Sequence, residues 1–246
     1  MVWVREGRPV YIQDVPSMML SSAQLEAIQQ FDTCTLADAI EPFGVRLRNE
    51  GFTRPGLRCV TEGRNRLLGY AATSRVRSAN PPMTGTAYLD RTDWWSGINL
   101  LPMPRIAVIH DLDPAPASGA CAGEVHAAIL KALHCNGVIT NGAVRDLPAV
   151  SKLDFPMFAP FVAVSHAYLH LVDHGQPVEI FGLQVRAGDL LYADCHGVVS
   201  IPLEIAAELP EAAARIRSKE QRIVQVCLSP GFSTEKLLNE IRSEEP

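Results

Sequence analysis

The sequence predicts an α/β fold, and three observations predict it. RIAVIHDL (residues 105–112) has the continuous apolar character of a buried strand. GEVHAAILKALHCNG (residues 123–137) repeats apolar residues at helical spacing, with Ala127, Leu130 and Leu133 toward one face and a glycine at its end. VITNG follows as a second apolar strand. Strand, helix and strand in that order form a βαβ unit, whose crossover is right-handed. The composition supplies the core such a unit needs: of 246 residues, 47% are hydrophobic and 20% charged. These proportions exclude the disordered and fibrous classes. The length fits one large domain or a domain with an extension.

The remaining elements follow in chain order. Residues 1–30 open with MVWVREGRPVYIQDVP, alternating and broken by proline, and predict an N-terminal arm or edge strand. Ser21 and Ser22 precede AQLEAIQQF as caps of a helix. Thr33 or Thr35 is the candidate cap of a second short helix, LADAIEPFG, ended by Pro42 and Gly44. From 51 to 80 apolar and polar residues alternate between glycines, predicting strands, of which GYAATSRVRS is the clearest. Residues 81–104 hold DRTDWWSG and read as helix and loop. Beyond the βαβ unit, GAVRDLPAVSKLD is a turn and a short helix. After FPMFAPFVAV come the short strands VEIFGLQV and DLLYADCHGVVSIP, joined by RAGD. From about residue 203 the chain reads as helical to its end, with Pro210 interrupting the helix. Residues 31–220 then make the body, and 221–246 a helical tail expected at a subunit interface. There is no internal repeat, low-complexity segment or long linker.

Charge and cysteine usage narrow the class. Lys and Arg total 22 against 27 Asp and Glu, a net charge of −5. With no basic run, nucleic acid is not an expected partner. The six cysteines are scattered without a CxxC, and the start of the chain does not resemble a signal peptide, so a reduced, cytoplasmic setting is expected. No apolar run reaches the roughly 18 residues of a membrane span. Only four lysines occur, Lys131, Lys152, Lys219 and Lys236.

The residues with chemical potential lie across the βαβ unit. Gly123 and Glu124 open its helix, while Arg145 and Asp146 follow its second strand, so both pairs project at the same end of the sheet. That is where open α/β sheets bind ligands. The amides of Gly123, Glu124, Val125 and His126 at a helix start suit a carboxylate. Arg145 adds a planar fork for the same anion. Asp146, with Glu124 opposite, suits a hard divalent cation that keeps several of its waters. An anion site beside a metal site points to a 2-oxo acid chelating the metal. Taken singly, an adjacent Arg and Asp form an ordinary surface ion pair, and Glu124 a favourable first-turn acid.

The run from Gly123 to Asp146 resembles the RraA-like family, which includes 4-hydroxy-4-methyl-2-oxoglutarate/4-carboxy-4-hydroxy-2-oxoadipate aldolases. The motif is an acidic residue, twenty positions, then Arg-Asp: here Glu124, Arg145 and Asp146. A second block, VRAGDLLYADCHGVVSIP, resembles the family at Gly188-Asp189, at Asp194 and at Gly197-Val198. The resemblance runs from about 33 to 219. It implies a three-layer β/β/α domain of the swivelling type, assembled as a homotrimer or homohexamer with sites between subunits. It implies a lyase acting on small 2-oxo acids, as aldolase or oxaloacetate decarboxylase, with Mg2+ or Mn2+. By similarity, Gly123, Glu124, Val125 and His126 form the backbone cradle for the pyruvyl carboxylate, Arg145 binds the substrate's carboxylate and carbonyl, and Asp146 anchors the metal. Glu124 stands where many aldolases have Asp, keeping the charge and adding a methylene.

Either reaction yields the enolate of pyruvate, whose oxyanion a metal and Arg145 stabilise without covalent chemistry. The alternative, a Schiff-base lysine, needs a desolvated amine, and none of the four lysines has apolar neighbours that supply one. In aldolases of the family a glutamate in a GEL-like context near a neighbouring subunit's C terminus takes part as base. This chain has VCLSPGFSTEKLLNE there, with Ser229-Pro230-Gly231, and no motif match assigns Glu235 or Glu240 that role. Some relatives are non-catalytic, binding and inhibiting a ribonuclease, and such regulators can lack the acid present here as Glu124.

Other candidates carry less. His166, His170 and His174 repeat every four residues, which on a helix would align three zinc ligands, but SHAYLHLVDHG reads as strand and loop. His196 in ADCHG reads as a turn residue. Trp94 and Trp95 fit core or interface packing. No glycine spacing supports a phosphate loop or an adenosyl-binding loop.

Overall fold

The computed structural model describes residues 19–82 and 92–243, together with the backbone of two short strands, β1 (Trp3–Arg5) and β2 (Arg8–Val10), paired antiparallel. The rest of the arm and the stretch 83–91 of the tryptophan-rich region lie outside the described residues. Helix α1 (Ser22–Ile28) starts at Ser21, whose hydroxyl accepts the Gln24 N–H while the Gln24 side chain accepts the Ser21 N–H, a reciprocal capping box. Helix α2 (Thr33–Ile40) is capped by Asp32 instead of Thr33 or Thr35: its carboxylate accepts the Thr35 N–H at 2.7 Å. A 3-10 turn, Glu41–Phe43, follows and ends at Gly44, which takes the left-handed conformation that glycine tolerates.

The strands β3 (Arg58–Cys59) and β4 (Leu67–Arg77) lead to helix α3 (Thr92–Ile98), which carries both tryptophans of the DWW run. The βαβ unit is β5 (Arg105–Asp111), a short strand β6 (Ala120–Ala122), α4 (Glu124–Ala132) and β7 (Cys135–Thr140). The helix is thus shorter than expected, and its last five predicted residues leave it. Arg105, buried, donates its guanidinium to the Leu133 and Leu101 carbonyls, satisfying the helix end, and His134 turns left-handed to start β7. Gly137 ends nothing: it sits inside β7, where a Cβ would lie 2.4 Å from the Pro156 carbonyl oxygen.

Next come β8 (Ala143–Val144), α5 (Leu147–Lys152), β9 (Met157–Ala159), β10 (Phe161–Val162) and β11 (His170–His174). Two hairpins, β12 (Val178–Ile180) with β13 (Leu183–Val185) and β14 (Leu190–Asp194) with β15 (Gly197–Ile201), precede α6 (Leu209–Leu228) and α7 (Thr234–Arg242). Pro210 does not interrupt the last helical region. It lies in the first turn of α6, where its missing N–H costs no bond, and α6 passes residue 220 unbroken.

The main sheet runs β15-β14-β4-β5-β7-β9-β3, with β11 also on β4. Strands β4, β5, β7 and β9 are parallel, as the crossovers require. Alternate residues of each strand point to opposite faces. Ile106, Val108, Leu67 and Leu191 meet Val178, Ile180, Leu183 and Val185 of the β12–β13 hairpin on one face. Ala107 and Ile109 meet Trp94, Leu130 and Val150 of the helices on the other, where Tyr70 and Tyr192 also pack on α1, α2 and α6. Hairpin, sheet and helices make the three β/β/α layers. No helix among the described residues is long and apolar enough to cross a membrane.

Candidate active site

The turn between β7 and β8 aims the site. Thr140 Oγ1 accepts the Gly142 N–H, and Asn141 joins the ends of β5 and β7 by accepting the Asp111 N–H at 2.7 Å and donating to the Asp111 carbonyl at 3.0 Å. Strand β8 then leaves the main sheet and pairs with β6 and β10 in a separate three-stranded sheet. The Arg145 N–H donates to the Ala122 carbonyl at 2.9 Å, so the residue before Gly123 and the residue before Asp146 are locked together. Sequence reading missed Asn141; its signal was the Asn-Gly turn dipeptide.

Four of the expected residues converge there. Asp146 adopts a left-handed conformation (φ 59°) and swings its carboxylate back over Gly123. Its Oδ2 accepts the Glu124 N–H and the Arg145 Nε–H, each at 3.2 Å. A Cβ at Gly123 would lie 2.5 Å from that oxygen and 3.0 Å from Arg145 Cγ, so any side chain there would push Asp146 out of this position. Arg145 and Asp146 side chains are about one-third exposed. The other two expected residues divide by side chain and backbone. Val125 is 65% exposed and presents its amide at the first turn of α4. The His126 ring is buried, faces the Cys121 carbonyl at 3.2 Å and stands edge-on to Trp94, so only its amide belongs to the cradle.

The arrangement leaves definite capacity. Among the described residues no donor reaches Asp146 Oδ1, and the Glu124 carboxylate is exposed and forms no ion pair. Two carboxylates against one guanidinium leave the cluster net negative. A free carboxylate oxygen with a second acid beside it fits a hard cation that retains water. The lysines stand elsewhere: Lys131 and Lys236 donate to the Leu153 and Gly231 carbonyls, Lys152 is exposed, and Lys219 lies on α6.

The RraA-like family model, described as Aldolase/RraA, matches residues 33–200. The chain belongs to the RraA-like family. A curated protein of Halalkalibacterium halodurans named as a 4-hydroxy-4-methyl-2-oxoglutarate aldolase is 25% identical over 149 residues, 58% of this chain and 71% of that protein. An uncharacterised protein of Methanocaldococcus jannaschii is 38% identical over 88 residues, 35% of this chain, and the match spans less than half of that relative, 42%. Among solved structures, a Streptomyces coelicolor member of the RNase ES inhibitor RraA protein family superposes with a TM-score of 0.65 at 20% identity, covering 84% of this chain and 98% of that one. The fold is therefore of the RraA type, in a family that holds both aldolases and ribonuclease inhibitors.

The other histidines separate. His170 and His174 lie on β11 and His166 on the loop before it, so no helix aligns the three. His174 is buried against Asp93 at 3.8 Å, and burial pushes its imidazole pKa down. His196 lies in the β14–β15 turn, where its Nδ1 and backbone N–H contact Asp194 at 3.1 and 2.9 Å. Asp194, Cys195 and His196 bring three potential ligand atoms within 4.8 Å of one another, but Asp194 Oδ1 already takes both His196 contacts and the Thr33 hydroxyl.

Proposed function

We propose that this protein is a divalent-metal-dependent lyase that cleaves small 2-oxo acids through the enolate of pyruvate, as a 4-hydroxy-4-methyl-2-oxoglutarate-type aldolase, an oxaloacetate decarboxylase, or both. The observation that carries it is the packing of the Asp146 carboxylate over Gly123, with the amides of α4 and the Arg145 guanidinium around it. The helix-start amides of Val125 and His126 bind the substrate carboxylate. Arg145 orients that carboxylate and the adjacent carbonyl oxygen, placing a fixed cation where negative charge develops. Asp146, with Glu124 beside it, would hold Mg2+ or Mn2+, and that ion would supply Lewis-acid stabilisation of the oxyanion. Decarboxylation then needs no further group from the chain. Aldol cleavage also needs a base for the 4-hydroxyl proton, a role that no motif match assigns to a residue of this chain.

The site is open on the side of Val125, and β10 with the loop after it exposes Val162 and Val164 nearby. The helices α6 and α7 expose Val224, Leu228, Leu238 and Ile241, the turn between them exposes Phe232, and α7 buries no residue. Unpartnered apolar surface of this kind marks interaction sites. It supports assembly of the chain into a homotrimer or homohexamer with the C-terminal helices at the subunit contact.

The test is pyruvate release from oxaloacetate and from 4-hydroxy-4-methyl-2-oxoglutarate, with and without Mg2+ or Mn2+. Metal-dependent turnover that Asp146→Ala abolishes is the expected result. No turnover on either acid would reject the lyase reading in favour of a non-catalytic regulator of the ribonuclease-inhibitor type.

A further inference from the structure

A cavity lies at the opposite end of the sheet from Arg145. Ala193 pairs with Leu67 at the start of β4, whereas Thr140 is level with Ile109 and Ser74. From residue 67 to residue 74 the strand rises roughly 23 Å. The cavity, about 330 Å3, is bounded by α2, the loop 46–53 and the start of β15, and it falls at the lower end of the size range of small-molecule sites.

Its walls differ in charge. The loop wall carries Arg46, whose guanidinium lies flat across Gly51; a Cβ there would sit 1.9 Å from Nη1. One hydrogen bond, Nη1 to the Ser200 carbonyl at 2.7 Å, is its only one among the described residues. Arginine stays protonated at any accessible pH, so a partly desolvated cation with donors to spare faces the cavity, and burial works against its charge while Glu50 favours it. The helix wall carries Asp38, whose carboxylate has no hydrogen bond or ion pair among the described residues. Burial, then the like charges of Glu41 and Asp32, push its pKa up. Glu41 is itself matched by Arg48 at 3.2 Å, an 81% exposed partner of little energetic weight. The floor is apolar, with Ile40 and Val198, and the lip holds Leu47 and Phe52, 65% and 41% exposed.

Two amides at the N-terminus of α2 are already used: those of Thr33 and Thr35 donate to Asp194 and Asp32. Arg46 is the partly desolvated cation of the cavity, and Asp38, an exposed residue of α2, lines the same cavity.

We propose that this cavity is a second ligand site, independent of the lyase centre, that binds a small zwitterion with an apolar side chain, of the hydrophobic amino acid class. Arg46 takes the carboxylate, Asp38 the ammonium, and Leu47 with Phe52 the side chain.

Calorimetric titration of the full chain with L-phenylalanine tests this, alongside 3-phenylpropanoate, which lacks the ammonium, and 2-phenylethylamine, which lacks the carboxylate. Saturable one-to-one binding of L-phenylalanine is expected, with each half-charged analogue about tenfold or more weaker. Asp38→Asn should weaken L-phenylalanine and spare 3-phenylpropanoate; Arg46→Lys should weaken it and spare 2-phenylethylamine. Leu47→Asp, at an exposed lip, keeps the test decisive if Arg46→Lys melts early, and should also weaken L-phenylalanine. Asp146→Ala should leave the binding unchanged, which separates this site from the lyase centre. Absence of saturable L-phenylalanine binding, binding indifferent to Asp38→Asn and Leu47→Asp, or 3-phenylpropanoate binding as tightly as L-phenylalanine would each overturn the proposal.

Discussion

Asp146 and Asp194 sit at opposite ends of the sheet and are used in opposite ways. Asp194 is 3% exposed. Its Oδ2 accepts the Thr33 N–H at 2.8 Å, and its Oδ1 accepts the Thr33 hydroxyl and the two His196 contacts. Burial pushes its carboxyl pKa up, but the donors of Thr33 and His196 together outweigh burial and hold it below the ordinary carboxylate range. Asp146 keeps one oxygen for Arg145 and the Glu124 amide and leaves the other open, at a left-handed backbone position. A saturated, buried carboxylate ties α2 to the β14–β15 hairpin. A half-satisfied, partly exposed one, held in a conformation that non-glycine residues rarely adopt, has bonding capacity left for a ligand.

Substitutions at the two ends should separate stability from chemistry. The largest effect belongs to Arg145→Ala: metal-dependent pyruvate release should fall by about 10²–10³, on the scale of losing one fixed oxyanion donor. A thermal melt run in parallel should barely move, because the side chain is partly exposed and its one bond is to a neighbour. A matching fall in stability would instead make Arg145 structural.

Asp194→Ala should do the reverse. Removing a buried acceptor strands the Thr33 and His196 donors and should cost about 3 kcal/mol in urea unfolding, while the chemistry at Arg145 persists in the protein that remains folded. The pH dependence has a fixed sign. Because the folded-state pKa of Asp194 is depressed, its contribution is complete above the unfolded value and fades as pH falls below about 4. Stability measured across that range should therefore drop more steeply in the native protein than in Asp194→Asn. Equal slopes would show that Asp194 is not the acid-labile contact.

Gly123→Ala should have the smallest effect on stability, roughly 1–2 kcal/mol, because the displaced groups are partly exposed and can shift. It should still lower turnover, since the shift moves the Asp146 carboxylate and Arg145. Full activity in this variant would show that the close approach is incidental.

These ends also differed in how far the sequence revealed them. The acid, its twenty-residue spacing and Arg-Asp were legible because one βαβ unit contains them all, and a parallel crossover forces both ends to the same edge. Asp194 was visible as part of a motif, but its partner Thr33 lies 161 positions away, and a contact so distant leaves no periodicity. The same distance effect displaced the cap of α2: Thr33 looked like a capping residue, and Asp194 took its hydroxyl, leaving Asp32 to cap. Arg105 likewise ended α4 earlier than its glycine suggested, through carbonyls no local pattern points to.

By itself the sequence determined the α/β class, the order of most elements, the family resemblance and the residues gathered at Arg145, since hydrophobic period and short-range connection rules govern those. Only the tertiary structure decided which oxygen of Asp146 stays open, why a side chain at residue 123 would displace Asp146, and that Arg46 and Asp38 line one cavity. Each of these is a matter of a few ångströms between side chains brought together by packing, and packing is a property of the whole chain and of no single stretch.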